Sequence, residues 1–220
     1  GPGPLRGVPL VSTGIIVVAT AVATFLSTMA GGLFALRVTK HIGAVIALQT
    51  GPVLVERSLY PALLERLLAE AQKITIGDGL AQGTLLGPLV NDLQYRKVLA
   101  AIDRAVVQGA TLACGGKAAG FDKGYFVAPT VLTDVPLSAD AWVEEIFGPV
   151  VCIRAFDTEE EAVRLANDSR FGLAAAVMTA DDARAERVAA AFRAGIVWIN
   201  CSQPTFTEAP WGGYKQSGIG

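Results

Sequence analysis

From Ser58 onward, apolar positions recur at steps of three and four residues: Leu63, Leu64, Leu67, Leu68, Ala71 and Ile74, with Glu65, Arg66, Glu70 and Lys73 between them. That period predicts an amphipathic helix with one face laid on a sheet. Gly77, Gly79, Gly83 and Gly87-Pro88 then mark a loop, and Asn91 is placed to cap a second helix that turns Val98, Ile102, Ala105 and Val106 inward and stops at Gly109. The glycine loop is no phosphate cradle, because no strand leads into it and the Gly-Lys-Ser/Thr ending is missing. Gly115-Gly116 and Gly120 to Gly124 make a surface connection, and Tyr125 to Val131 reads as extended. Val150 to Phe156 is a nearly continuous apolar run, the mark of a strand buried on both faces. Thr158 with Glu161 forms a capping-box pattern that opens a helix to about Ala166, and Gly172 precedes a strand over Leu173 to Met178. A helix from Asp181 to Arg193 ends at Gly195, and a strand starting at Ile196 runs into a polar, Pro-broken loop that ends on Trp211-Gly212-Gly213. Strand and helix alternating at this spacing predict an α/β fold, a mainly parallel sheet with flanking helices. An aromatic ring held on irregular backbone at the far end of a strand is where such folds keep their sites.

The N-terminal part is different. No charge occurs from Gly7 through Leu36, longer than the roughly 20 apolar residues that span a bilayer. Pro9, Gly14 and Gly31-Gly32 interrupt the stretch, and Arg6, Arg37 and Lys40 flank it on both sides without giving an orientation. A membrane span is therefore disfavoured, and a signal peptide lacks its start and cleavage pattern. Residues 1–53 stand as an unassigned hydrophobic segment ahead of a unit over 54–220.

Composition narrows the chemistry. With 220 residues, 52% hydrophobic and 17% charged, the chain can build an ordinary core. A net charge of −2 with both signs intermixed gives no field for nucleic acid or an anionic membrane. Cys114, Cys152 and Cys201 are odd in number and sit in or beside apolar runs, which fits reduced intracellular thiols. His41 is the single histidine, so there is no imidazole cluster, and metal hydrolysis and Ser-His-Asp chemistry are disfavoured. Periodicity and composition give no reaction.

Two segments do. Glu144-Glu-Ile-Phe-Gly-Pro149, and the run Trp198-Ile-Asn-Cys-Ser-Gln-Pro204 followed by Ala209-Pro-Trp-Gly-Gly-Tyr-Lys-Gln-Ser-Gly218, resemble signature segments of the aldehyde dehydrogenase superfamily. The wording is similar to that of the plant-type betaine aldehyde and aminoaldehyde dehydrogenases, and the likeness runs from about Leu54 to Gly220. The resemblance implies oxidation of an aldehyde to a carboxylic acid: a Cys thiolate adds to the carbonyl, hydride passes to NAD, and a Glu activates water for hydrolysis. NADP is the alternative cofactor. Position by position, it implies that Glu145 binds the nicotinamide ribose hydroxyls and that Phe147 positions the nicotinamide ring. Trp211 matches the aromatic at the mouth of the aldehyde pocket, where its π face can hold an amine, and Ile196 and Thr205 match pocket neighbours. Cys201 reads as structural, beside Asn200 at the strand end.

The same resemblance fails over the first fifty residues. Counting back from Leu54-Val55, the family's Gly-Gln-x-Cys should end at position 47, where this chain has Ala47. The Glu-Leu-Gly-Gly-Lys segment that carries the general base would fall near Thr13-Gly14-Ile15 and is absent. The expectation is a fragment of an NAD-dependent aldehyde dehydrogenase, from a fragmentary or mis-spliced gene model or a shifted reading frame, whose own catalytic residues are missing and which is inactive alone. Its partner is a small-molecule aldehyde, and the complete family member forms a homo-oligomer. A plant-like member would sit in cytoplasm, plastid or peroxisome. The competing reading is a non-catalytic, membrane-tethered scaffold derived from such an enzyme.

Overall fold

The computed structural model describes residues 52–201 and 207–219, and the backbone of residues 16–20. The uncharged N-terminal stretch lies almost wholly outside the described residues. So do Ala47 and Thr205. Among the described residues no helix is long and apolar enough to cross a membrane.

Among the described residues the centre is a 7-stranded sheet whose strands are β1 (Ile16–Thr20), β2 (Pro52–Glu56), β3 (Thr111–Cys114), β4 (Thr130–Thr133), β5 (Val150–Phe156), β7 (Ala174–Met178) and β8 (Ile196–Ile199). Their order across the sheet is β3-β4-β5-β2-β1-β7-β8. Parallel pairing joins β4 to β5, β5 to β2 and β7 to β8. The edge strand β3 is antiparallel to β4, a common finish for an otherwise parallel run. β1 lies between the parallel groups, antiparallel to both β2 and β7. Two short strands, β6 (Phe171–Gly172) and β9 (Tyr214–Lys215), pair separately.

Alternation along β5 builds a core on each face of the sheet. Val150, Cys152 and Phe156 enter one, while Val151 and Ile153 enter the other. The expected burial on both faces holds, although Arg154 is only half-buried. Helix α1 (Tyr60–Ala71) covers the second core with Leu63, Leu67 and Ala71, and Pro61 sits in its first turn, where a missing N–H costs nothing. It stops before Ile74, which packs half-buried on the same core from the following turn.

Helix α2 (Asp92–Val107) shows how closely local signals fix an element. The Asn91 side chain accepts from the Gln94 N–H at 2.9 Å, closing the N-terminus. At the other end Gly109 has φ of 107°, the Gly109 N–H reaches the Val106 carbonyl at 3.0 Å and the Ala110 N–H reaches Ala105 at 2.9 Å, a Schellman finish. Val98, Ala101, Ile102 and Ala105 are buried. Val106 was expected inward and is 43% exposed. At 100° per residue it lies about 90° from the middle of the buried arc, on the shoulder of the stripe.

Helix α3 (Asp140–Val143) is a single turn before the Glu144 segment. Helix α4 (Glu159–Asn167) opens with the Thr158 hydroxyl accepting from the Glu161 N–H at 3.2 Å. The return bond of the expected capping box is displaced by one residue, since the Glu161 carboxylate accepts from the Asp157 N–H at 2.8 Å. Helix α5 (Asp182–Ala191) is capped by Asp181, which accepts from the Arg184 N–H at 3.0 Å. It ends before Arg193 because Phe192 leaves helical geometry with ψ of 140° to bury its ring. Arg184 then ties the layers together, donating to Glu159 at 3.0 Å and to Glu56 at the end of β2 at 2.9 Å.

Phe156 is fully buried, so Phe156→Ala is expected to cost about 3–5 kcal/mol of stability, whereas loss of the exposed cap in Asn91→Ala should cost about 1 kcal/mol. Urea midpoints of both variants, measured with unchanged slope, check the ratio.

Candidate functional site

The Glu144–Pro149 segment leaves α3 in extended geometry, with ψ of 157° at Glu144, and turns sharply at Phe147, whose φ is 51°. Left-handed backbone at a Phe is sterically unfavourable and must be held from outside. Gln94 does this from the first turn of α2, its side-chain amide donating to the carbonyls of both Ile146 and Phe147 at 3.0 Å. Gly148 is required by the same approach, since an added Cβ would lie 2.7 Å from a methyl of Val98. The Pro149 carbonyl then accepts from the Thr130 N–H at 2.8 Å, fixing the segment at the start of β5.

So held, Glu145 lines a cleft with Trp142, Phe171, Gly172, Ala174 and Arg193. Its Oε1 is buried and has no hydrogen-bond partner among the described residues. An acceptor in that state is costly unless something donates to it. Burial pushes the Glu145 carboxyl above its usual value, Arg170 opposes the shift, and Glu144 adds to it. Phe147 is 46% exposed, with its ring available to another flat group.

The C-terminal run folds back rather than out. Asn200, at φ of 54°, ends β8 with its side-chain oxygen accepting from the Thr179 N–H at 2.9 Å. By Gly212 the chain has returned to the start of that strand, where an added Cβ on Gly195 would overlap the Gly212 carbonyl oxygen. Trp211 therefore sits beside the beginning of β8, not beyond its end as the strand-then-loop pattern predicts. The reason is the pairing of β9 with β6: Lys215 opposes Phe171 and Tyr214 opposes Gly172. The Lys215 ammonium donates to the carbonyls of Asn167 and Ser169 at 2.8 and 2.9 Å, which also satisfies the end of α4. The Gly172 N–H donates to the Ser217 hydroxyl at 3.1 Å.

Since β5 and β8 run in the same direction, Glu145, Phe147, Ile196 and Trp211 all lie at one end of the sheet, where these strands begin. Trp211 is 41% exposed and is not a core aromatic. Trp198 packs half-buried on the α1 side, and Ile196, two residues earlier on the same strand face, is half-buried. Thr205 lies outside the described residues. Cys201 is half-buried and free, and burial raises its thiol pKa, as it does for Cys114. Cys152 is pushed up to about 12. None of these thiols is activated. Among the described residues no group of His, Cys, Asp and Glu could hold a metal ion. Gln94 and Arg170 carried no mark in the sequence as parts of this site; Gly195 was legible only by its position before Ile196, and Lys215 stood inside the quoted Ala209–Gly218 segment without an assigned role.

Two outcomes follow. Gly195→Ala must push the Gly212 segment away, so it should lose about 1–3 kcal/mol and speed proteolytic cleavage between 207 and 217, read by peptide mass. Glu145 has its pKa raised in the folded state, so its contribution to stability is present below the ordinary 4.5 and is lost as pH rises through the folded value. Glu145→Gln should remove that component, and urea midpoints of the two forms should converge at low pH and separate, in favour of Gln, above it.

A model of the aldehyde dehydrogenase family matches residues 43–220. A chloroplastic aminoaldehyde dehydrogenase of Arabidopsis thaliana is 48% identical over 172 residues, 78% of this chain and 34% of that protein. A chloroplastic betaine aldehyde dehydrogenase of Amaranthus hypochondriacus is 48% identical over the same shares. Among solved structures, betaine aldehyde dehydrogenase from Staphylococcus aureus in complex with NAD+ superposes with a TM-score of 0.75 at 42% identity, over 81% of this chain and 36% of that one. The chain spans about a third of the length of these relatives. It belongs to the aldehyde dehydrogenase family.

Proposed function

We propose that residues 54–220 supply part of the catalytic domain of an NAD-dependent dehydrogenase that oxidises an aminoaldehyde or betaine aldehyde to its acid. The observation that carries this reading is the buried, unpartnered Oε1 of Glu145, held in a cleft near an exposed Phe147 ring. A sugar diol would supply the donors that this oxygen lacks, and the ring would restrain a flat heterocycle. These residues fit a nicotinamide nucleoside, whose role when bound is to accept hydride; the ribose contact does not distinguish NAD from NADP. What the chain itself contributes is orientation: Gln94 fixes the Phe147 turn, and the Gly195–Gly212 approach returns the Trp211 run to the start of β8.

The amine end of the substrate is assigned to Trp211 by cation–π attraction. Ile196, at the start of β8 to which that run returns, is assigned to narrow the space for three methyl groups, because a β-branched side chain has few rotamers to escape into. A primary aminoaldehyde such as 3-aminopropanal or 4-aminobutanal is therefore the preferred substrate over betaine aldehyde. The residues placed here include no activated thiolate, and Ala47 stands where the nucleophile is expected, so the chain by itself should not turn over an aldehyde. The complete enzyme is proposed to be a homo-oligomer.

The test uses a full-length enzyme in which the family's N-terminal part precedes residue 54. Glu145→Gln and Phe147→Ala should impair hydride transfer, with a misplacement of about 1 Å costing roughly a hundredfold. Ile196→Ala should improve use of betaine aldehyde relative to 3-aminopropanal by about 1–3 kcal/mol in kcat/KM. Unchanged NAD kinetics in the first pair would overturn the cofactor assignment, and a betaine aldehyde preference in the Ile196 form would overturn the substrate one.

A further inference from the structure

We propose that Arg170 is a positioning residue, whose side chain and backbone carbonyl together fasten the Glu144–Glu145 segment to the C-terminal strand β9 and so hold Glu145 facing the cleft. The inference rests on reading Glu145 as the cofactor carboxylate. Three contacts converge on Arg170. Its guanidinium is ion-paired with Glu144, the residue immediately before Glu145. The Arg170 Cζ stands 5.0 Å from the centroid of the Phe171 ring, which lines the same cleft. The Arg170 carbonyl accepts from the Gln216 N–H at 3.0 Å, and the next residue pairs with Lys215. Side chain and backbone of one residue therefore join the cofactor segment to the segment that carries Trp211.

The geometry suits Arg and no other cation. A guanidinium can lay its face over a ring while its edge meets a carboxylate, whereas an ammonium is a point charge that must choose. Glu144 and Arg170 are each about half exposed, so the pair contributes little to global stability. Its consequence is positional. Two adjacent carboxylates repel, and pairing the first fixes the direction of the second. The charged groups around Glu145 are Glu144 on its own segment, Arg170 and Asp168 on the turn after α4, and Arg193 after α5. Of these, Arg170 is the cation that acts on Glu145.

The experiment uses the 220-residue chain, with glutamate carboxyl carbons followed by NMR across a pH titration and amide exchange read residue by residue. Arg170→Gln should move the Glu145 midpoint upward by about half a pH unit, less than the one to three units that a closer, buried charge gives. It should also speed exchange in both Glu144–Gly148 and Tyr214–Ser217. Arg170→Lys should restore the titration but not the exchange protection. Glu144→Gln should loosen the same amides, and the double variant Glu144→Gln/Arg170→Gln should be no looser than either single one, as expected of one shared interaction. An unmoved Glu145 midpoint in Arg170→Gln, loosening confined to one of the two segments, or additive effects in the double variant would each overturn the proposal. These readouts need no cofactor, so failure of the cofactor assignment in the full-length enzyme is recognised separately, by unchanged NAD kinetics in Glu145→Gln.

Discussion

The constraint on which the candidate site depends is the contact of two glycine backbones, Gly195 against Gly212. No side chain fits between them, so the C-terminal loop can lie directly on the start of β8. That contact turns a loop leaving one end of the sheet into a loop that closes the other. Everything downstream is arranged to keep it: Lys215 bonds two carbonyls at the end of α4, Ser217 receives the Gly172 N–H, and β9 pairs with β6. Gly172 itself admits no Cβ, which would lie 2.6 Å from the Arg193 carbonyl oxygen. The strands are standard; the site comes from backbones allowed to touch.

This explains which parts of the molecule were legible in the sequence. Caps and periods are local, so Asn91, Thr158 and Asp181 open their helices and Gly109 closes one, as the residue types predict. The alternation of strands and helices gave the α/β layering and the parallel pairings. What the sequence pattern could not carry was decided by approach in space. Val106 fell on the shoulder of its helix, and the Glu161 carboxylate accepts from the Asp157 N–H instead of the Thr158 N–H. The direction of the loop after Asn200 depends on a partner strand that begins at Phe171, some thirty residues earlier in the chain. A reading by local period places Trp211 at the end of β8 because nothing between Asn200 and Gly212 announces the return.

The signature segments divide by role in a way that motif matching alone conceals. Gly148, Gly213, Lys215 and Ser217, with Gly195 just ahead of the second segment, make geometry: each is required by a close approach of backbone or of the Val98 side chain, or satisfies a carbonyl or amide that would otherwise be orphaned. Glu145, Phe147 and Trp211 are left with an unsatisfied buried acceptor or partly exposed rings. The distinction is energetic. Residues of the first kind gain from folding, whereas a buried acceptor without a donor and a Phe in left-handed backbone cost free energy in the folded chain.

Those costs lie on the segment that Gln94 holds from one side and Arg170 from the other. Gln94 satisfies the carbonyls on either side of the Phe147 turn, which removes two unpaired acceptors and fixes the backbone. Arg170 acts on charge, compensating the first of two adjacent carboxylates so that burial of the second is tolerated. Both anchors come from elements distant in sequence, α2 and the turn after α4, and both reach the segment just before β5 begins. A strained segment persists only where its surroundings over-determine it. Here the helix, the turn and the strand β9 do so together, which ties the orientation of Glu145 to the folding of the C-terminal run as much as to its own motif.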